Sequence, residues 1–243
     1  MSPNTAIILA GGLGTRLRSL VSDVPKPMAP VNDRPFLEWL MDYWISQGVV
    51  RFIISVGYKN QVITDCFGSR YRDAQLDYAI ENEPMGTGGG LLNAISMLGS
   101  NSPIAVLNGD TYFGVTLSAL TEFHHARKSE WTFSVFKSAA TSRYMGMTLD
   151  SVGRVLDLKG GQDNVDEIYV NGGVYVVDPV TIKNLSTQSD GKLSLESDLL
   201  PQLMTASGSV FAKVFDAPFI DIGVPDDYAR ASNFLKMHNV QKN

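Results

Sequence analysis

The chain sends a buried strand directly into glycine. Ala6-Ile7-Ile8-Leu9 is an unbroken apolar run, and Ala10-Gly11-Gly12-Leu13-Gly14-Thr15-Arg16-Leu17 follows it with no linker. Such a run reads as a buried strand, and open α/β sheets bind ligands beyond the carboxyl ends of their strands. Glycine at that end lets backbone N–H groups approach an anion with no Cβ in the way. Arg16 adds positive charge to the same segment, and Lys26 adds more from Val24-Pro25-Lys26-Pro27-Met28. The combination points to chemistry on a nucleoside triphosphate.

Two commoner glycine motifs fit less well. A Walker A loop needs G-x-x-x-x-G-K-[ST], and no Lys-Ser or Lys-Thr follows a glycine here. The dinucleotide fingerprint G-x-G-x-x-G has its first two glycines in Gly12-Leu13-Gly14, but Leu17 replaces the third. A plain strand-to-helix turn would account for the glycines by themselves. It does not account for Thr15-Arg16-Leu17 and Pro25-Lys26-Pro27.

With 243 residues, 44% of them hydrophobic, the chain can build one large α/β domain. The chain reads as a single domain over 1–243, or a core with a small lobe, with a nucleotide-binding half over about 1–110 and a second half over about 111–243. A net charge of -5 and no Lys/Arg run argue against nucleic acid as a partner, so a phosphate site must be locally basic or recruit a cation. One cysteine, Cys66, permits no intrachain disulfide and fits a reducing compartment. No signal peptide and no run of membrane-spanning length is apparent, so the expected setting is soluble and cytoplasmic, away from membranes. A homo-oligomer is compatible with this composition.

The pattern predicts strands over 5–10, 51–56, 76–79, 104–108, 131–136 and 173–177. Helices are predicted from Phe36 to a Gln47-Gly48 stop, and over 60–67, 89–98, 194–204 and 225–238. The β-α-β-α rhythm up to Asp110 predicts a parallel sheet with helices on both faces. After Asp110 the spacing becomes irregular, and 157–166 reads as an exposed polar excursion.

Asn108-Gly109-Asp110 follows the apolar run Ile104-Ala105-Val106-Leu107. An aspartate there can hold a divalent cation at the ligand-binding edge, although Asn-Gly and Gly-Asp are also ordinary turn residues. Asp221 lies in the strand-like Phe219-Ile220-Asp221-Ile222, where a carboxylate among apolar neighbours needs a partner. A Mg²⁺ ion shared with Asp110 would supply one. Glu81 precedes a second glycine-rich loop, Gly86-Thr87-Gly88-Gly89-Gly90, against which a flat ring could lie while Glu81 accepts from a base edge. Asn171, in Asn171-Gly172-Gly173, could hydrogen-bond a sugar hydroxyl, or be a loop asparagine. Ser194-Leu195-Glu196-Ser197-Asp198 has the form of a helix N-cap and acidic first turn. Lys159 could meet a second phosphate. His124, His125 and Cys66 lack the spacing of a zinc site, and Trp39, Tyr43 and Trp44 read as core.

Taken in order, these segments resemble the sugar-phosphate nucleotidyltransferases, over nearly the whole chain. The 24–33 and 219–228 segments are most similar to the D-glycero-α-D-manno-heptose 1-phosphate guanylyltransferases within that family. The resemblance implies a Rossmann-like, GT-A type α/β fold with a mixed, mostly parallel central sheet flanked by helices. It implies GTP and a sugar 1-phosphate as substrates, Mg²⁺ held by Asp110 and Asp221, and Arg16 and Lys26 as catalytic cations. Nucleotide contacts are implied for Leu9, Gly11, Gly12, Gly14, Thr15, Glu81, Gly86, Thr87 and Asn108. Sugar-phosphate contacts are implied for Tyr144, Gly146, Lys159, Asn171 and Glu196. The chain departs from the family pattern where Leu158 stands in place of glutamate before Lys159, and where Tyr144 and Gly146 are separated by Met145.

Overall fold

A computed structural model describes residues 2–12, 21, 23–138, 146–160, 168–185, 192–206 and 208–238, with backbone only at 159 and 160. The chain begins with β1 (Thr5–Leu9), a 3-10 turn (Lys26–Met28), the short hairpin β2 (Pro30–Val31) and β3 (Arg34–Pro35), and α1 (Phe36–Ser46). Then come β4 (Arg51–Val56), α2 (Asn60–Phe67), β5 (Arg70–Tyr71), β6 (Ala74–Ile80), α3 (Gly86–Ser96) and β7 (Ile104–Asn108). The later chain adds β8 (Thr111–Phe113), α4 (Leu117–Arg127), β9 (Trp131–Ser138), β10 (Gly146–Leu149) and β11 (Val155–Gly160). It continues through β12 (Ile168–Val177), α5 (Pro179–Asn184), a π-helical turn (Leu195–Leu199) that runs into α6 (Leu200–Ala206), β13 (Val210–Val214), β14 (Phe219–Asp221) and α7 (Pro225–His238).

The expected α/β architecture with a mixed central sheet is present. Its order is β11-β10-β12-β7-β1-β4-β6-β5, with β9 against β12 and β13 against β9. β6, β4, β1 and β7 run parallel, and β12 meets β7 antiparallel. β1 therefore has its successor strand on one side and β7, which comes later in the chain, on the other. That reversal of strand order opens a crevice at the carboxyl ends of β1 and β7.

The parallel strands read as continuous apolar runs because both faces are covered. Alternate residues go to opposite sides. Ile8, Ile54 and Leu107 pack with Leu40 and Trp44 of α1, whereas Ile7, Ile53 and Val106 pack with Leu91 and Ile95 of α3. Trp39 and Trp44 are buried, as the helical spacing predicts. Among the described residues, no helix is long and apolar enough to cross a membrane.

Three expectations need correction. The predicted strand 173–177 is the end of a longer one, β12, which begins at Ile168 and carries a register shift between Asn171 and Tyr175. The predicted excursion at 157–166 is a strand as far as Gly160. Its alternating Leu156, Leu158 and charged neighbours belong to a sheet edge, where one face meets water. The helix expected from residue 89 starts at Gly86, so the glycines of the second loop are helical. Glycine in a helix costs about 1 kcal/mol relative to alanine, and contacts described below offset that cost.

Candidate active site

The β1/β7 crevice is a cavity of about 440 Å³, within the usual range for a small-molecule site. Leu9, Gly11 and Gly12 line it from the end of β1, and Asn108 and Asp110 from the end of β7. The two strand ends are tied by Gly109 N–H donating to Leu9 C=O at 2.9 Å. Glu81, Gly86, Thr87, Lys26 and Glu196 are also in its walls. Gly14, Thr15, Arg16 and Tyr144 lie outside the described residues.

Asp221 does not line the cavity, but strand pairing brings it from far along the chain to the Asp110 that does. β14 runs antiparallel to β8, with Asp221 opposite Thr111, one residue beyond Asp110. Ile222 N–H then donates to Asp110 C=O at 3.0 Å. Asp221 is 8% exposed. The Lys26 ammonium forms an ion pair with Asp110 and lies 3.8 Å from Asp221 Oδ1. Gly223 makes room for it, since a Cβ there would collide with Lys26 Nζ. Mg²⁺ takes one or two carboxylates and completes its shell with phosphate and water, so Asp110 and Asp221 are oxygen donors it could use, in the place where the Lys26 ammonium now bridges them. Among the described residues no cluster of three or more His, Cys, Asp or Glu could hold a metal by itself.

Glu81 is held at both oxygens. Ser55 Oγ donates to Oε1 at 3.1 Å, and Met85 N–H donates to Oε2 at 3.0 Å. Each carboxylate oxygen keeps a second acceptor direction. Ser55 also lines the cavity, and sequence reasoning missed it. Its signal was available: a serine inside the apolar run Phe52-Ile53-Ile54-Ser55-Val56, 1% exposed in the structure.

The expected sugar residues gather along one line of the antiparallel sheet. Gly146 on β10 pairs with Val170 on one side and Gly160 on the other. Asn171 and the backbone of Lys159 are therefore each one residue from Gly146's partners. None of these three lines the nucleotide-side cavity, whereas Glu196 does. The bulge in β12 turns at Gly173, φ +74°, where a side chain would strike Thr111 Oγ1 and come within 2.9 Å of Asn108 Nδ2.

Asn171 is locked in place. Its Oδ1 accepts from Gly173 N–H at 3.0 Å and its Nδ2 donates to Tyr175 Oη at 2.8 Å. Burial pushes the Tyr175 phenol well above its ordinary pKa, against the opposing effect of its hydrogen bonds to Asn171 and Asn108, so it stays protonated. Tyr175 thus touches an asparagine from each edge of the site. Sequence reasoning passed over it, because a tyrosine in an apolar strand looks like core.

Thr87 lies where expected, but its hydroxyl is turned to the other half of the chain. It accepts from Leu195 N–H at 2.9 Å and donates to Glu196 Oε2 at 3.1 Å. The second glycine loop is likewise occupied by protein. Leu193 C=O accepts from Gly88 N–H at 2.8 Å and Gly89 N–H at 3.2 Å, so a backbone carbonyl satisfies the first turn of α3. Gly86 has φ +77°, and a Cβ there would meet the Leu193 carbonyl oxygen at 2.5 Å. These glycines admit a crossing segment of chain more closely than a flat ring.

The chain matches the Nucleotidyl transferase family over residues 5–238. It is 38% identical over 231 residues to a D-glycero-alpha-D-manno-heptose 1-phosphate guanylyltransferase of Aneurinibacillus thermoaerophilus, covering 95% of this chain and 98% of that one. A protein of the same description from Campylobacter jejuni is 36% identical, with 92% and 96% covered. The crystal structure of HddC from Yersinia pseudotuberculosis complexed with GMP-PN superposes with a TM-score of 0.82 at 35% identity, covering 96% of this chain and 99% of that one. The carboxyl-end crevice, the lysine and paired aspartates beside it, and a match spanning almost the full length make the chain a member of the nucleotidyl transferase family.

Proposed function

We propose that this nucleotidyltransferase transfers GMP from GTP to D-glycero-α-D-manno-heptose 1-phosphate, releasing pyrophosphate. The observation that carries the reading is similarity to heptose 1-phosphate guanylyltransferases over nearly the whole of both chains. The HddC structure complexed with GMP-PN supports a guanine nucleotide as the ligand, and the β1/β7 crevice is the cavity of this chain that we assign to it.

A sugar 1-phosphate oxygen attacks the α-phosphorus and pyrophosphate leaves from the opposite side. The nucleophile is already ionised at neutral pH, so no protein base is required. The obstacle is repulsion between two anions, and oriented cations offset it. Lys26 meets the α-phosphate from its position beside Asp110, Arg16 meets the triphosphate, and Lys159 meets the sugar phosphate. Asp110 and Asp221 would hold Mg²⁺, which supplies further charge neutralisation at the phosphates. Glu81, fixed by Ser55 and the Met85 amide, accepts the N1–H and N2 amino group of guanine. Asn171 and Glu196 hydrogen-bond the sugar.

Pyrophosphate release with a panel of triphosphates and sugar 1-phosphates tests the reading. GTP with the heptose phosphate should give the highest kcat/KM. Preference for UTP or dTTP would overturn the nucleotide, and preference for mannose 1-phosphate would overturn the acceptor.

A further inference from the structure

The segment that crosses the mouth of the second glycine loop joins the two halves of the site through one side chain. Leu193 is paired at both backbone groups: its N–H donates to Met85 C=O at 2.8 Å, and its carbonyl accepts from Gly88 and Gly89. The chain then enters the π-helical turn, whose first residue, Leu195, donates its N–H to the Thr87 hydroxyl. That hydroxyl has one proton, and it goes to Glu196 Oε2. Ser194 Oγ donates to the same oxygen at 3.2 Å while accepting from Ser197 N–H at 3.1 Å. Glu196 Oε2 therefore receives two hydroxyl donors. Among the described residues, no donor hydrogen-bonds Oε1.

Glu196 is exposed, and a free glutamate on a surface turn would sample several rotamers. Two donors converging on one oxygen remove that freedom and leave the other oxygen for a ligand. Thr87 and Glu196 both line the cavity, so the oriented carboxylate stands at its wall.

We propose that Thr87 is a positioning residue for the acceptor sugar rather than a nucleotide contact. Its hydroxyl, anchored by the Leu195 amide, holds Glu196 with Oε1 presented to a sugar hydroxyl. The residue belongs by sequence to the nucleotide half and acts on the sugar half. The inference rests on the function proposed above, in which Glu196 binds the acceptor.

Steady-state kinetics on wild type, Thr87→Val, Thr87→Ser and Glu196→Ala, with each substrate varied in turn, test it. Thr87→Val should raise KM for the sugar 1-phosphate roughly fivefold to tenfold, the scale of one ordinary exposed hydrogen bond, and leave KM for GTP within about twofold. Thr87→Ser restores the hydroxyl and should return the sugar KM to near wild type. Adding Thr87→Val to Glu196→Ala should cost little more, because the two act as a unit. Equal rises in both KM values, a rise for GTP alone, no rise for the sugar phosphate, or a serine variant no better than valine would each overturn the role. A wild type that prefers another sugar 1-phosphate overturns the heptose assignment alone, and the Thr87 comparison is then read on that sugar. A wild type inert toward every sugar 1-phosphate overturns both.

Discussion

The two edges of the site are built in different ways. On the parallel edge, the cavity lining from β1 and β7 lies within three positions of a strand end: Leu9 to Gly12 at the end of β1, and Asn108 to Asp110 at the end of β7. On the antiparallel edge, Gly146, Asn171 and the backbone of Lys159 sit inside strands, and register aligns them. The first construction tolerates little change in local sequence, because the turn itself is the site. The second tolerates change at single positions but depends on strands staying in register and on buried side chains beneath them. Loss of function on the parallel edge should therefore appear as lost turnover, and on the antiparallel edge as lost acceptor affinity coupled to stability.

The largest effect should come from the paired carboxylates beside Lys26 on the parallel edge. Asp110→Asn and Asp221→Asn should each lower kcat by a hundredfold or more, as removal of a main source of charge stabilisation does. The double substitution should be little worse than either single one, since both would serve one metal. Measuring kcat against Mg²⁺ concentration checks this. Strictly additive losses, or full activity in EDTA, would separate the two residues and leave Asp221 a structural partner of Lys26.

The same division explains what could be read from sequence. The bounds of β4, α2, β7 and α7 match their predicted ranges, because apolar runs, glycine stops and helix starts are local signals. The crevice was legible for the same reason. Lys159 reads from sequence as part of an excursion because β11 is a sheet edge and its polar residues look like loop. Asn171 was placed before its strand because Gly172-Gly173 reads as a break, whereas the structure uses it as a bulge inside β12. Nothing local in Gly86-Thr87-Gly88 shows that residues 193–196 cross it, or that the Thr87 hydroxyl pairs with the Leu195 amide and Glu196. Register and crossing segments are set by tertiary packing and leave no short-range pattern.

The antiparallel half should also fail first in acid. His124 on α4 is 3% exposed, with Nδ1 2.9 Å from Thr132 Oγ1 of β9. Burial, with a smaller effect of His125 and against that of Asp178, lowers its pKa from 6.5 to about 4. Between those values the unfolded state binds the proton and the folded state does not. Stability present above pH 6.5 is therefore lost as pH falls toward 4, by about 2–3 kcal/mol. His124→Gln should flatten the denaturation midpoint over that window, relative to wild type. An unchanged slope would mean that carboxylates carry the whole acid response.

Glu81→Gln sharpens the comparison from the other side. An amide presents one acceptor oxygen where guanine offers two adjacent donors, and its NH₂ would also oppose the Met85 N–H. Discrimination for GTP over UTP should fall about tenfold, the scale of one charged hydrogen bond. KM for the sugar 1-phosphate should hold. Competition between the two triphosphates measures the ratio directly. A rise in the sugar KM of similar size would show that Glu81 shapes both edges, and the division between them would not hold at this residue.

Tyr175→Phe has the smallest expected effect and bears most directly on whether the edges are independent. The buried phenol accepts from Asn171 and hydrogen-bonds Asn108, so it stands under both. Phenylalanine keeps the ring contacts with Trp131 and Phe133 and deletes the oxygen alone. Asn171 would lose the acceptor that holds Nδ2, and a half-buried donor that loses its partner costs about 1 kcal/mol. If the antiparallel edge merely rests on Tyr175, KM for the sugar 1-phosphate should rise a few-fold while KM for GTP stays put. If the phenol links the edges, both constants should rise together, because releasing Asn108 disturbs the turn after β7. The bond to Asn171 has the shorter register path to the sugar residues, and Asn108 retains its backbone pairing to β1 through Leu9. The expected outcome is therefore the first, and equal shifts in both constants would show that one hydroxyl couples the two constructions.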